Sequence, residues 1–211
     1  GRIWVPEMNM LNIAPFIQTK FTFFDKLVLK GGVRYEKVNI GVDDYATLPT
    51  KNTSTGVVTP SMNVRGGDLK YNAVVSNVGL RYNLSNYFSP YVSFSQGFSV
   101  SDIGLVLRSA RVDYIEKINT EAVIINNYEA GFVSKVKNFR FEATGYISKS
   151  SLGANSVFSD GVFVVVRTPE RIYGYELAAD YQITKDLQAG VSYSYVEGKV
   201  DADDDGKGKG K

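Results

Sequence analysis

Apolar and polar residues alternate along most of this 211-residue chain. A period of two puts successive side chains on opposite faces, the mark of a β-strand with one apolar and one polar side. Leu27, Leu29, Val33 and Tyr35 share one face, while Val28, Lys30, Gly32 and Arg34 share the other. The pattern recurs from Val74 to Tyr82, Val92 to Phe98, Phe139 to Ile147, Tyr175 to Tyr181 and Leu187 to Tyr195. It is less regular from Ile13 to Phe24 and from Asn127 to Val136. Eight strands are therefore predicted, most of them about 10 residues or longer, against about 5–6 in an ordinary globular sheet. A strand that crosses a bilayer at a tilt needs roughly 9–11. No helix is expected: Leu105 to Lys117 has poor apolar spacing and reads as loop. The longest apolar run, Val162 to Val166, is far short of the ~20 residues a membrane helix needs.

The connections are sorted by length. Short turns are expected at Asp25-Lys26, Asn83 to Asn86, Lys137-Asn138 and Ile183 to Asp186. Long polar links alternate with them: Gly41 to Asp68, Ser99 to Asn126, and Ser150 to about Val166. Short turns at one end and long loops at the other is the build of an outer-membrane barrel. Aromatics cluster in the same way. Phe23, Phe24, Tyr82, Tyr87, Phe88, Phe139 and Tyr181 lie beside the short turns. Tyr35, Phe98, Tyr128, Tyr175 and Tyr195 lie near the long-loop ends. Two aromatic girdles at the two membrane interfaces produce this distribution. The fold class expected is all-β: antiparallel up-and-down strands of a transmembrane β-barrel. Two other builds fit the alternation. One is a complete eight-stranded barrel, which requires Ile13–Phe24 to pair with Leu187–Val196. The other is a soluble β-sandwich binding module.

Composition removes much chemistry. The chain has no His and no Cys, which excludes His bases, Ser-His-Asp triads, thiolate nucleophiles and disulfides. Lys plus Arg number 24 and Asp plus Glu 22, so the net charge of +2 offers no field for nucleic acid. No paired carboxylates or phosphate loop can be placed in one cleft, and no catalytic residue is expected. No signal peptide is visible at Gly1 to Asn12.

Several segments resemble the β-barrel of TonB-dependent outer-membrane receptors. Tyr87-Phe-Ser-Pro-Tyr-Val-Ser-Phe-Ser-Gln-Gly-Phe98 is similar to that family's "YASYSQGF" strand, and Ser101-Asp-Ile-Gly-Leu-Val-Leu-Arg108 to the loop start after it. Asn127-Tyr-Glu-Ala-Gly-Phe132, Gly174-Tyr-Glu-Leu177, Ala189-Gly-Val-Ser-Tyr-Ser-Tyr195 and Leu29-Lys-Gly-Gly-Val-Arg-Tyr35 resemble further family strands in the same order. Family members have an N-terminal plug inside a 22-strand barrel. The resemblance covers about eight consecutive strands, so residues 1–211 are expected to be a single incomplete barrel segment without plug, energy-coupling box or terminal aromatic strand.

The resemblance implies an outer-membrane location and a ferric siderophore or similar chelate as ligand, with no resident cofactor and no protein-held metal. It also implies lipid around the wall and an inner-membrane energy-coupling protein acting through the plug. Arg108, Arg111 and Tyr114 become the candidate contacts to an anionic, oxygen-rich chelate, since guanidinium offers fixed donors in a planar fork. Lys30, Arg34, Arg81, Glu129, Arg140, Glu142, Glu176 and Asp180 are expected to face the lumen and to pair with one another across strands or with the plug. Asp201-Ala-Asp-Asp-Asp-Gly206 matches half of a calcium loop but reads as solvated loop, and residues 201–211 as a flexible acidic and Gly-Lys tail.

Overall fold

The computed structural model describes residues 5–52, 55–100, 103–108, 110, 112–117, 122–159, 162–200 and 209–210. Strand β1 (Met8–Ile13) and β2 (Phe16–Phe23) both pair with β3 (Leu27–Val42). They are one strand broken at Ala14-Pro15, because Pro15 has no N–H to give the ladder. The link after β3 folds on itself as nested pairs: β4 (Tyr45–Ala46) with β7 (Asn63–Val64), and β5 (Thr50–Lys51) with β6 (Val58–Thr59). Then follow β8 (Gly67–Tyr82) and β9 (Phe88–Ser99). A short helix α1 (Ile103–Arg108) and a 3-10 turn (Ile115–Lys117) precede β10 (Val123–Val136). The series ends with β11 (Phe139–Ser159), β12 (Val162–Gln182), β13 (Gln188–Val200) and β14 (Lys209–Gly210).

The main sheet runs β1/β2, β3, β8, β9, β10, β11, β12, β13, β14, antiparallel throughout. Counting β1 and β2 together, eight long strands form it, as the alternation predicts. Among the described residues no ladder joins β1/β2 to β13, so the sheet is an open arc of wall. That removes the complete eight-stranded barrel. The wall is also a single layer, and among the described residues no second large sheet covers its apolar face, so the sandwich fails too.

Register sorts the side chains cleanly. Leu29 pairs with Leu80, Leu80 with Val92, Phe94 with Tyr128, Tyr128 with Ile147, and Leu177 with Tyr193. Partners share a face. Between the two aromatic girdles this face carries no charge on any long strand. Val33, Val78, Val92, Ile147, Leu177 and Val191 lie exposed on it. The alternate face holds Lys30, Arg34, Arg81, Glu129, Arg140, Glu142, Glu176 and Asp180, as expected. A protein in water would bury the first face; a lipid-facing barrel turns it outward. The apolar stretch covers nine residues on β11 (Phe139 to Ile147) and on β12 (Tyr173 to Tyr181), the length a tilted crossing needs.

On the polar face, two tyrosines lie across neighbouring glycines. Tyr91 Oη reaches Thr144 Oγ1 at 2.6 Å by passing over Gly131, where a Cβ would sit 2.8 Å from that oxygen. Tyr146 lies likewise over Gly174, its oxygen 2.7 Å from a Cβ there. These glycines are needed for close approach of a ring across the strand.

Three expectations change. The link Ser150 to about Val166 is not a loop: β11 and β12 stay paired to Ser159↔Val162, with a bulge between Ser150 and Gly153. Val162–Val166, four valines and Phe163, is rich in β-formers and extends the hairpin. The first turn centres on Phe24-Asp25, both at φ 52, rather than Asp25-Lys26. Lys26 N–H donates to Phe23 O at 3.1 Å and closes it. Lys137 at φ 50 makes the Lys137-Asn138 turn as predicted. Leu105 to Lys117 contains the end of α1 and the 3-10 turn rather than plain loop. The half calcium loop Asp201 to Gly206 lies outside the described residues; Lys209–Gly210 pair with Lys199 and Val200.

Candidate functional site at the loop-side mouth

The wall is split at its loop end. Strands β8 and β9 pair only from Asn77↔Ser95 to Arg81↔Tyr91. Beyond that, β8 continues against β3 and β9 against β10. A side-chain relay closes the fork of the split. Ser76 N–H and Oγ donate to Gln96 Oε1 at 3.1 and 3.0 Å, and Gln96 Nε2 donates to Asn126 Oδ1 at 3.0 Å.

The β9–β10 connection packs at this split as a lid. Ile103, Leu107 and Ile115 are buried against Val38, Ile40, Val42, Leu69 and Tyr71, with Phe98 and Val100 alongside. Leu107 and Ile115 are 0% exposed and Val38 and Ile40 of β3 only 2%, so among the described residues the tightest core lies where the lid meets the wall. Phe98 therefore belongs to this core and not to the loop-side girdle. Burying such side chains stabilises the lid by roughly 1.5–3 kcal/mol each. Polar ties fix it further. Tyr45 Oη donates to Leu107 O at 2.8 Å. Burial pushes the Tyr45 phenol up to about 12, which keeps it protonated and donating. Arg65 N–H donates to Asp113 O at 2.8 Å, and Ile115 N–H donates to Arg65 O at 3.1 Å. Lys117 Nζ lies 2.8 Å from Asp113 Oδ1 and 4.1 Å from the centre of the Tyr114 ring. The Lys117 hydrogen bond holds the Asp113 carboxyl below its ordinary range and raises Lys117.

Arg108 ends α1 and is exposed. Tyr114 is also exposed, with one ring face taken by Lys117. Both predicted contacts thus ride on the lid, on its solvent side. Arg111 lies outside the described residues. The sequence reading missed Tyr45, Arg65, Asp113 and Lys117, which tether the lid. The signal available was weak: a lone Asp and Lys spaced i, i+4 in a segment read as loop.

Below the lid, the polar face carries Glu36, 3% exposed, with one carboxylate oxygen 2.5 Å from Arg34 and the other unpartnered. Arg140 pairs with Glu142 in the same two-residue fashion. Ser93 Oγ donates to Glu129 at 3.2 Å. Among the described residues the two ion pairs of the lumen charges, Arg34–Glu36 and Arg140–Glu142, thus run along a strand and not across strands as expected. At the turn end a cavity of about 940 Å³ is lined by Lys26, Arg81, Lys135, Arg140 and one acid, Asp25. Among the described residues no group of three or more acids gathers to hold a metal ion.

The family model "TonB dependent receptor-like, beta-barrel" matches residues 6–211. The chain belongs to that family. It is therefore wall of an outer-membrane barrel. It is 27% identical over 208 residues to the rhizobactin receptor of Rhizobium meliloti (strain 1021), a match covering 92% of this chain and 28% of that receptor. It is also 27% identical over 209 residues to the ferric aerobactin receptor of Klebsiella pneumoniae, covering 91% of the chain and 28% of the relative. The chain thus spans little more than a quarter of these relatives' length. Among solved structures, the copper transporter OprC superposes with a TM-score of 0.72 at 16% identity, over 93% of this chain and 30% of that one. The ferric-catecholate import receptor Fiu of E. coli K12 gives 0.68 at 15%, over 92% and 28%. Those two likenesses speak to the fold alone.

Proposed function

We propose that this TonB-dependent-type wall, with its lid, serves the uptake of a ferric siderophore across the outer membrane. The observation that carries the reading is the match of nearly the whole chain, lid included, to receptors named for rhizobactin and ferric aerobactin. The geometry supports it. One face suits lipid, the other is polar, and the lid presents basic and phenolic groups at the mouth. Arg108, Arg111 and Tyr114 would meet the anionic chelate there, each guanidinium offering donors to carboxylate or hydroxamate oxygens. Iron arrives already caged, as cargo, so no resident cofactor is required. The cationic cavity at the turn end lies on the same polar face and suits an anionic complex leaving the barrel. An inner-membrane coupling protein would supply the energy through a plug. Residues 1–211 would act as one barrel segment, and nothing in its chemistry calls for catalysis.

The test is uptake of radio-iron as ferric aerobactin and ferric rhizobactin by cells carrying the whole receptor. Arg108→Ala with Arg111→Ala is expected to raise the half-saturating concentration by about 10-fold or more while the receptor stays in the outer-membrane fraction. Unchanged uptake of both chelates by the double variant would remove these residues from the site. No uptake of either by the parent would remove the siderophore reading.

A further inference from the structure

The lipid-facing side of β11, β12 and β13 changes character just beyond its loop-side tyrosines. Tyr175 pairs with Tyr195, and one step further Tyr173 pairs with Glu197. The next step sets Arg171 against Lys199, and on its other side Arg171 is paired with Lys149. Three cations thus stand in one row across three adjacent strands. Directly opposed side chains have Cβ atoms about 4.5–5.5 Å apart, and like charges placed so destabilise a sheet. Neighbouring seams avoid the problem: at that level Lys37 faces Asn72, Asn39 faces Lys70, and Gln96 faces Asn126.

The described outward positions of these three strands hold one acid, Glu197. It accepts from Tyr195 Oη at 2.8 Å and lies 3.7 Å from Lys199 Nζ. Lys149 and Arg171 are exposed, and among the described residues neither is within ion-pair distance of an acid. Lys199 Nζ also sits 5.6 Å from the centre of the Tyr173 ring, which holds its stem against the girdle. The row therefore keeps a local surplus of positive charge.

We propose that Lys149, Arg171 and Lys199 form a binding site for phosphate-bearing lipid headgroups of the outer leaflet. Position chooses the partner. The row shares its face with the uncharged apolar band and touches the aromatic girdle, whose rings mark headgroup level. An anion bridging the row is thus anchored in the membrane. The long stems lie along the apolar wall while their heads reach the interface. Arg171 at the centre offers two parallel donors to a phosphate, and the lysines flank it as point charges.

The experiment uses the intact receptor in neutral detergent and native mass spectrometry. Three probes are added in turn: doubly phosphorylated lipid A, the same lipid without its phosphates, and inorganic phosphate. The parent is expected to retain the phosphorylated lipid and neither of the others. Lys149→Gln/Arg171→Gln/Lys199→Gln is expected to weaken retention by at least about 10-fold, since each cation near an anionic lipid surface counts separately. Lys37→Gln/Lys70→Gln, on the same outward face but not in a row, is expected to leave it unchanged. If the triple variant does not assemble, Arg171→Gln alone is read in the same way with a smaller loss. Equal retention by parent and row variants overturns the proposal. So does equal retention of the lipid stripped of phosphate, or capture of inorganic phosphate in the lipid's place. This outcome is independent of siderophore uptake, which reads the opposite face.

Discussion

The wall and the lid are built from the same residue types and obey different rules. In the wall, identity is set by parity: Leu177 faces lipid and Ala178 faces the lumen, so one step reverses the environment. In the lid, identity is set by three-dimensional fit. Leu107 and Ile115 are fully buried although nothing in their spacing marks a stripe. A periodic solvent boundary imposes a periodic sequence, while a loop that fills one gap needs only apolar residues at the points of contact.

The largest effect expected tests the lid. Leu107→Ala should cost about 2–5 kcal/mol of lid stability through the cavity left behind. Hydrogen exchange should show the loss in residues 103–117 while the wall strands keep their protection. If the wall loses protection equally, lid and wall are one cooperative unit and the contrast collapses. Next comes parity. Leu177→Arg should destabilise the assembled barrel by about 2–4 kcal/mol, because it sets a cation near the middle of the bilayer. Ala178→Arg, one residue on and opposite Glu142, should cost less than about 1 kcal/mol. Equal costs, measured by urea unfolding in lipid vesicles, would reverse the assignment of faces. A smaller effect concerns the fork: Gln96→Ala should lose about 1 kcal/mol by removing the relay from Ser76 to Asn126, read as faster exchange at Ser76.

Protonation separates the regions further. Tyr45 has a folded value near 12, above its ordinary 10.0, so its contribution to the lid is complete below pH 10 and is lost as pH rises through about 12. Its donation to Leu107 O disappears with the proton. Asp113 is shifted the other way, so its contribution is present above its ordinary 3.8 and is lost as pH falls through its lower folded value. Protection of residues 103–117 should therefore fall at both extremes. Tyr45→Phe should shrink the alkaline limb to the part left by Lys117, whose raised value also makes its ion pair fail at high pH, and Asp113→Asn should abolish the acid one.

Legibility followed the same division. Eight strands, their polarity and three of four turns could be read from residues such as Leu27 to Tyr35, because the bilayer writes its period into every strand. The length of β11 and β12 was not readable. Ser150 to Val166 breaks the alternation, and the pairing there depends on a bulge. Nor was Phe98 readable as lid core: it keeps the parity of Phe94 and diverges only because the strands part. The candidate contacts Arg108 and Tyr114 did fall on the lid, whereas the groups that position it, Tyr45 and Arg65, come from a link in which no pattern announces them.

The β8–β9 ladder holds for five pairs at the turn end, whereas β11 and β12 are laced from Phe139↔Tyr181 to Ser159↔Val162. A cylinder slit part-way down one seam is a collet. Its base is held by backbone rungs, whereas above them β8 and β9 are joined through the side chain of Gln96. The wedge that sets the jaws here is α1 and the 3-10 turn, seated on Leu69 and Tyr71. On the loop side the join between the two halves of the wall thus rests on the seating of a few apolar side chains rather than on backbone pairing.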